Sequence, residues 1–134
     1  MTTAESFYEA LAALEIEGCT NMLLPPSSPT LDGKHAKWVQ AVGLTNATLR
    51  AKARGGERGL RCQVIIAIDP KGRSTHPARW GAALAMVDRL DVAIGAMSNP
   101  ASGTLRWEID LNPNYGGDAG WIAVTADITA EEWR

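Results

Sequence analysis

The sequence predicts an α+β fold in which one long helix packs across an antiparallel β-sheet. Four segments alternate apolar and polar residues with a period of two, which is typical of strands that have one solvated face. Between the second and third of these segments, apolar residues recur at the spacing of an amphipathic helix. With a short helix at the N-terminus, the predicted order is α-β-β-α-β-β, with about four strands. A length of 134 residues is that of a single domain, here residues 1–134.

The first element is a short amphipathic helix. Thr2 and Glu5 have the spacing of a capping box, in which each side chain accepts a hydrogen bond from the backbone N–H of the other residue. Phe7, Leu11 and Leu14 lie on one helical face, and Gly18 is expected to end the element. A helix this short is marginal on its own, so we expect it to dock on the rest of the domain.

Residues 19–35 are predicted to be a proline-rich connector. Pro25, Pro26 and Pro29 are incompatible with a helix or a central strand, and Asp32-Gly33 is a turn signal. Residues 22–24 are apolar and are expected to form a short strand or to lie on a neighbour. Connectors of this length without regular structure are often exposed functional arms.

The predicted strands cover residues 36–44, 60–68, 105–110 and 122–128. In the first strand the alternation places Trp38, Val42 and Leu44 on one face and Val39 and Ala41 on the other. Flexible loops are predicted at 45–59 and at 111–120, and the second loop is expected to close a hairpin.

The main helix is predicted over residues 77–95. Pro77 suits the first turn, and Ser74 or Thr75 can cap it. The predicted apolar stripe consists of Trp80, Leu84, Val87, Leu90 and Ile94. Four alanines keep the helix slim, which allows close approach to a sheet or to a neighbouring subunit.

Composition excludes several classes of protein. A net charge of −2 argues against a dedicated nucleic-acid binder, since such domains are usually strongly basic. Nothing requires Cys19 and Cys62 to pair, and Cys62 is best explained as a small buried apolar residue in a reducing compartment. The sequence has no signal-peptide pattern and no apolar run long enough to span a membrane, so a cytoplasmic site of synthesis and action is expected.

No catalytic, cofactor or metal motif is present in the sequence. Gly33-Lys34 lacks the upstream glycine of a phosphate loop and is followed by His35 where Ser or Thr is needed. His35 and His76 have no partners at ligand spacing. The grouping of Asp69, Ser74 and His76 lacks the context of a nucleophile motif. We therefore expect no enzymatic activity, no cofactor and no metal.

A basic segment allows two interpretations. It contains Arg50, Lys52, Arg54, Arg58 and Arg61, with Glu57 as the only acid. It is either a solvated loop that keeps the protein soluble or an arm that becomes ordered on an acidic partner or a nucleic-acid backbone. No aromatic residue interleaves with these charges, so base stacking is not expected.

The five tryptophans against one phenylalanine are also unusual. They fit either internal packing or subunit and ligand surfaces, because an indole N–H needs a partner when it is buried.

The layout of the chain resembles that of the tail terminator proteins of long-tailed bacteriophages, at the head–tail junction. The resemblance covers most of the chain and is carried by the order of its parts. A short N-terminal helix and a proline-rich connector are followed by VIIAIDP at 64–70, RWGAALAMVDRL at 79–90, WEID at 107–110 and GWIAVTADI at 120–128.

The resemblance implies a homo-oligomer, a hexameric ring that caps the tail tube, ends its polymerisation and meets the head connector. Such a protein is assembled in the host cytoplasm and resides in the virion, and DNA can pass through its ring without sequence-specific binding. The alternative is a small cytoplasmic ligand-binding or regulatory domain with a Trp-lined pocket. The candidate assembly surface comprises the basic arm and three aromatic residues: Arg50, Lys52, Arg54, Arg58, Trp38, Trp121 and Tyr115.

Overall fold

In the computed structural model, the described residues are 4–22, 35–49, 55–68, 76–97, 104–115 and 121–133. They form two helices and five strands, and the predicted α+β class is confirmed. The helices are α1 (Ala4–Ala13) and α2 (His76–Gly95). The strands are β1 (Cys19–Asn21), β2 (His35–Leu49), β3 (Gly55–Ala67), β4 (Thr104–Tyr115) and β5 (Trp121–Trp133).

The sheet differs from the prediction in strand count and in order. Its five strands run β1-β2-β3-β5-β4, and β1 is parallel to β2 while the other pairs are antiparallel. The expectation of four antiparallel strands was therefore wrong at this edge. The added strand occupies the start of the predicted connector, where three residues are too few to display a periodic pattern. The rest of that connector, residues 23–34, lies outside the described residues.

The β2–β3 hairpin is longer than predicted. Residues 45–49 and 55–59 continue the two strands, with pairs running from Thr45↔Gly59 to Leu49↔Gly55, so most of the predicted loop at 45–59 is strand. Pairing here rests on backbone hydrogen bonds, which a glycine-rich and charged composition does not reveal. Likewise residues 111–115 extend β4. Pro113 is tolerated there because β4 is an edge strand.

Both helices cover one face of the sheet, and the main core lies between. Phe7 and Leu11 of α1 are completely buried, as the predicted amphipathic face requires. Helix α1 ends at Ala13, before Leu14, and Gly18 turns the chain with a positive φ of 86°. Thr2, the predicted capping residue, lies outside the described residues.

The buried stripe of α2 is shifted from the predicted one. It consists of Ala83, Met86, Leu90 and Ile94; of the predicted stripe, Trp80 and Val87 pack half-buried against the core, and only Leu84 is exposed, at 56%. The helix itself matches the prediction closely, because its bounds differ from 77–95 by one residue. Its predicted caps at 74 and 75 lie outside the described residues. The face that contacts the sheet is richer in small residues than the sequence pattern indicated.

A β-bulge in β2 reverses which of its alternate side chains lie on the helical face of the sheet. The register with β3 shifts between Ala41 and Gly43. Before the bulge odd-numbered residues lie on the helical face, and after it even-numbered residues do. Trp38 pairs with Ile65, on the face away from the helices, and Leu44 pairs with Leu60, on the helical face. The prediction that Trp38, Val42 and Leu44 lie on one face of the strand was therefore wrong.

Candidate assembly surface

Both edges of the described sheet contain lengths of strand that no described neighbour pairs with. On one side β1 pairs only with His35 to Lys37, and no other described strand covers β2 from there to Leu49. On the other side, the described residues provide β4 with one partner, β5. Unpaired strand edges favour association with another strand. A surface for assembly through backbone hydrogen bonds is thus available on both sides of the described sheet.

Apolar side chains accompany both edges. Val42 and Leu44 on β2 are each 56% exposed. On β4, alternate residues face the helical side but are only half-buried: Leu105, Trp107, Ile109 and Leu111. Helix α2 leaves these edges partly uncovered, and a second molecule would gain free energy by covering them.

A polar ladder crosses the face of the sheet that is opposite the helices. The Gln40 Nε2 amide donates to Gln63 Oε1 at 2.8 Å, and Gln63 Nε2 donates to Asp127 Oδ1 at 3.1 Å. Glu108 lies opposite Asp127 in the register, which places two acids side by side. Like charges directly opposite one another are unfavourable, so this row is a site where a cationic partner would be stabilised.

A groove of about 560 Å³ lies next to this ladder. Its lining mixes charges of both signs with one tryptophan: Arg106, Trp107, Glu108, Asp127 and Thr129. The Trp107 indole Nε1 donates to Asp91 Oδ1 at 2.7 Å, which fastens β4 to α2. Trp107 is therefore oriented by the fold and has its polar atom satisfied.

Trp38 does not belong to the exposed surface of the single chain. It is 3% exposed and lies in a second buried cluster with Ala36, Ile65, Ala67 and Ala123. This placement corrects the expectation that Trp38 contributes to an assembly surface. The cross-strand pairing with Ile65 places the indole on the face of the sheet that carries this cluster.

The remaining predicted assembly residues fall at opposite ends of the sheet. Tyr115 and Trp121 pair with each other at the β4–β5 end, whereas Arg58 pairs with Glu132 at the far end of β5. Positions 121 and 132 on one strand are roughly 36 Å apart at the usual rise per residue. Arg50, Lys52 and Arg54 lie outside the described residues, between the paired Leu49 and Gly55. The hypothesised surface is thus divided into an aromatic end and a basic end.

Lys37 is a structurally important residue that the sequence analysis missed. It is 1% exposed, and its ammonium donates to the carbonyls of Leu11 at 3.3 Å and Ala12 at 3.4 Å, and to Asn21 Oδ1 at 3.0 Å. A cation at the C-terminal end of a helix satisfies the last carbonyls and complements the helix dipole. Its burial could have been predicted from its spacing. Lys37 is two residues before Val39 in the strand, so both side chains lie on the helical side of β2.

Burial controls the ionisation of the groups around Lys37. Burial lowers the pKa of the Lys37 ammonium, and the neighbouring Cys19 has a smaller effect in the opposite direction. Burial also raises the pKa of the Cys19 thiol to about 11, against the smaller opposing effects of Lys37 and Arg89. The Cys19 Sγ lies 3.6 Å from Met86 Sδ. A thiol that stays protonated at neutral pH is a packing group and a poor nucleophile.

The described residues contain neither a cluster of metal-ligating side chains nor a helix that could span a membrane. No group of three or more His, Cys, Asp or Glu side chains in these ranges is arranged to hold a metal ion. Neither of the two described helices combines the length and the apolar character that crossing a bilayer requires. The chain matches no protein-family model and no curated protein.

Proposed function

We propose that this chain is a structural virion protein that caps the tail tube of a long-tailed bacteriophage as a ring and joins the tail to the head connector. The observation that carries the proposal is the separation of two chemically different ends on one sheet. Arg58 and the last β2–β3 pair, Leu49 and Gly55, which flank the basic residues 50–54 in the sequence, lie at one end, and the Tyr115–Trp121 pair lies at the other. A protein that connects two different neighbours needs two such surfaces.

The sheet edges support the ring. A head-to-tail contact between copies covers a different edge on each subunit, and such contacts close into a ring when the rotation between subunits permits it. The uncovered lengths of β2 and β4 are on opposite sides of the sheet, as this kind of contact requires. In this proposal the ring is a hexamer that resides at the head–tail junction and leaves its centre open for DNA.

The test is whether the purified chain ends the growth of tail tubes. Tail-tube protein encoded in the same genome is polymerised with and without this chain, and tube length and tube ends are observed by negative-stain electron microscopy. We expect shorter tubes that carry a ring at one end. Tubes of unchanged length, with no added density and no co-sedimentation of the chain, would overturn the proposal.

Two further observations would bear on it. We expect the gene that encodes this chain to be flanked by genes for capsid, connector and tail-tube proteins. Size-exclusion chromatography with light scattering is expected to detect a ring, or a monomer that assembles on contact with the tube. A stable closed dimer would contradict the ring.

The alternative of a ligand-binding domain with a Trp-lined pocket stays a prediction. The groove at Arg106, Glu108 and Asp127 has only Trp107 among the described aromatic side chains of its lining. Arg106, Glu108 and Asp127 lie on the face opposite the helices, whereas the Trp107 indole lies on the helical side, where it is bonded to Asp91.

A further inference from the structure

A groove lies on the helical side of the molecule, between the turn after α1 and the middle of α2. It has a volume of about 380 Å³. Its apolar floor is formed by Ile16, Val92 and Ala93. Val92 is 72% exposed, which is the largest exposure of any large apolar side chain in the described ranges. An exposed apolar surface enclosed by charged residues is characteristic of a contact site.

The charged lining of this groove is mainly acidic. It contains Glu15, Glu17 and Asp88, and all three side chains are exposed. Among the described residues of the lining the one cation is Arg89, whose Nη1 donates to the backbone carbonyl of Glu17 at 3.2 Å. The groove therefore presents an excess of negative charge next to an apolar floor, which suits a basic segment that also carries small apolar side chains.

The chain itself contains a segment of this chemistry. Residues 50–54 read Arg-Ala-Lys-Ala-Arg, three cations separated by alanines, with no acid among them. In the sequence they lie between Leu49 and Gly55, which form the last described pair of the β2–β3 hairpin. We name residues 50–54 the basic tip and the groove at Glu15, Glu17 and Asp88 the acidic groove.

The basic tip cannot occupy the acidic groove of its own chain. His35 N donates to Gly18 O at 2.8 Å, so the groove lies beside the first residue of β2. The tip follows Leu49, at the other end of the strand, roughly 40 Å away at the usual rise per residue. A connection of a few residues between adjacent strand ends does not span that distance.

We infer that the basic tip of one copy docks in the acidic groove of a second copy. If only one tip and one groove of a pair of copies engage, the contact is head-to-tail and leaves one free tip and one free groove until a ring closes, whereas reciprocal exchange of both would close a two-fold dimer. The inference deepens the proposed function and rests on it only for the closure into a ring. The contact itself is a property of the isolated protein.

The experiment uses two charge-reversed variants of the full chain. The tip variant carries Arg50→Glu, Lys52→Glu and Arg54→Glu, and the groove variant carries Glu15→Lys, Glu17→Lys and Asp88→Lys. Light scattering during size-exclusion chromatography measures the mass of each variant alone and of an equimolar mixture. A third variant with Glu5→Lys, Glu9→Lys and Asp110→Lys has the same change in net charge as the groove variant and is its control, because these exposed acids lie outside the groove.

We expect each reversed variant alone to have the mass of one chain, since tip and groove then have the same sign. In the mixture, every tip meets a groove of opposite sign if the two variants alternate, so the mass of the wild-type assembly should return. The control variant should assemble as the wild type does. Salt at 1 M should shift the wild type toward one chain, as screening of exposed charges requires.

Several results would overturn the inference. One is a wild-type chain that stays monomeric at high protein concentration, and another is reversed variants that assemble as the wild type does. A third is a mixture that fails to assemble although circular dichroism finds both variants folded. Binding of a labelled DNA duplex that is lost in the tip variant, with self-association unchanged, would assign the tip to a polyanion instead.

The inference and the proposed function fail in distinguishable ways. Charge-dependent self-association without any effect on tube growth would retain the contact and remove the tail function. Capping of tubes by both reversed variants would retain the tail function and remove the contact.

Discussion

The ammonium of Lys37 lies 3.0 Å from the Asn21 side-chain oxygen, which ties the β1 edge strand to β2 beneath the end of α1. The same ammonium donates to the carbonyls of Leu11 and Ala12. One buried cation thus joins the N-terminal helix, the edge strand and the sheet. Its removal takes the ammonium donor from the Ala12 carbonyl and the Asn21 side-chain oxygen, while the Leu11 carbonyl still accepts from Leu14 N at 3.3 Å.

We therefore expect Lys37→Met to lower the free energy of unfolding by about 2 kcal/mol, because buried acceptors that lose their donor cost about this much. Urea denaturation monitored by tryptophan fluorescence measures the change. Arg106→Met, at an exposed position on β4, is the control and should change stability by less than about 0.5 kcal/mol. Equal effects of the two substitutions would contradict the role assigned to Lys37.

The buried thiols predict a loss of stability in alkaline solution. Burial raises the pKa of Cys62 from 9.0 to about 11. Between these two values the unfolded chain has lost the thiol proton and the folded chain retains it, so the free energy of unfolding falls as the pH rises. In Cys62→Ala this decrease should be smaller between pH 9 and 11, as measured by urea denaturation at several pH values. An unchanged slope would argue against the burial of this thiol.

The hydrogen bond between Trp107 and Asp91 should be measurable by a double-mutant cycle. Trp107→Phe removes the indole N–H, and Asp91→Ala removes the acceptor at 2.7 Å. We expect a coupling energy of about 1 kcal/mol, since the pair is partly solvated and the acceptor is charged. Thermal or urea unfolding of the four variants provides the measurement. Strictly additive effects would mean that the bond contributes nothing.

Two glycines should differ in their tolerance of a side chain. Gly18 has a φ of +86°, and an added Cβ would lie 3.2 Å from Arg89 Nη1, so Gly18→Ala should cost about 1 kcal/mol. Gly43 has only the end of the Arg61 side chain above it, at 2.6 Å from an added Cβ. That guanidinium can move, so Gly43→Ala should cost less than about 0.5 kcal/mol. The reverse order in chemical denaturation would contradict this account.

The basic tip should matter for particle assembly and not for folding. Changing Arg50, Lys52 and Arg54 to Ala is expected to impair the joining of tails to heads, because the charge that would attract an acidic partner is removed. The melting temperature should stay within a few degrees of the wild type. Joining is measured by complementation of a phage that lacks the gene, and undiminished joining would remove this role.

The spacing of apolar residues within one segment correctly predicted helices and strands, because their periodicity is a property of that segment. Phe7 and Leu11 recur at helical spacing, and α1 buries both. The segment from Leu60 to Ile68 alternates cleanly, and its even-numbered residues face the core. Helical and strand periodicity arise from the geometry of one chain segment, so they can be recognised without knowledge of its neighbours.

Features that depend on pairing between distant segments were inaccessible. The bulge after Ala41 reverses the parity of β2, and it is defined only by the register with β3. The three-residue strand at Cys19–Asn21 exists because His35 to Lys37 lies beside it. Among the candidate site residues, Trp38 was misplaced for the same reason, and the acidic groove joins segments some 70 residues apart.

The sequence by itself determined the α+β class, the two helices and the absence of any recognisable catalytic motif. It also determined the basic composition of residues 50–54, because charge is a property of each residue alone. Only the tertiary structure decided that Lys37 is buried under α1, that the acidic groove is next to the first residue of β2, and that the basic tip follows its last. These depend on which strands pair and in which register, and cross-strand pairing is a relationship between segments that no single segment encodes.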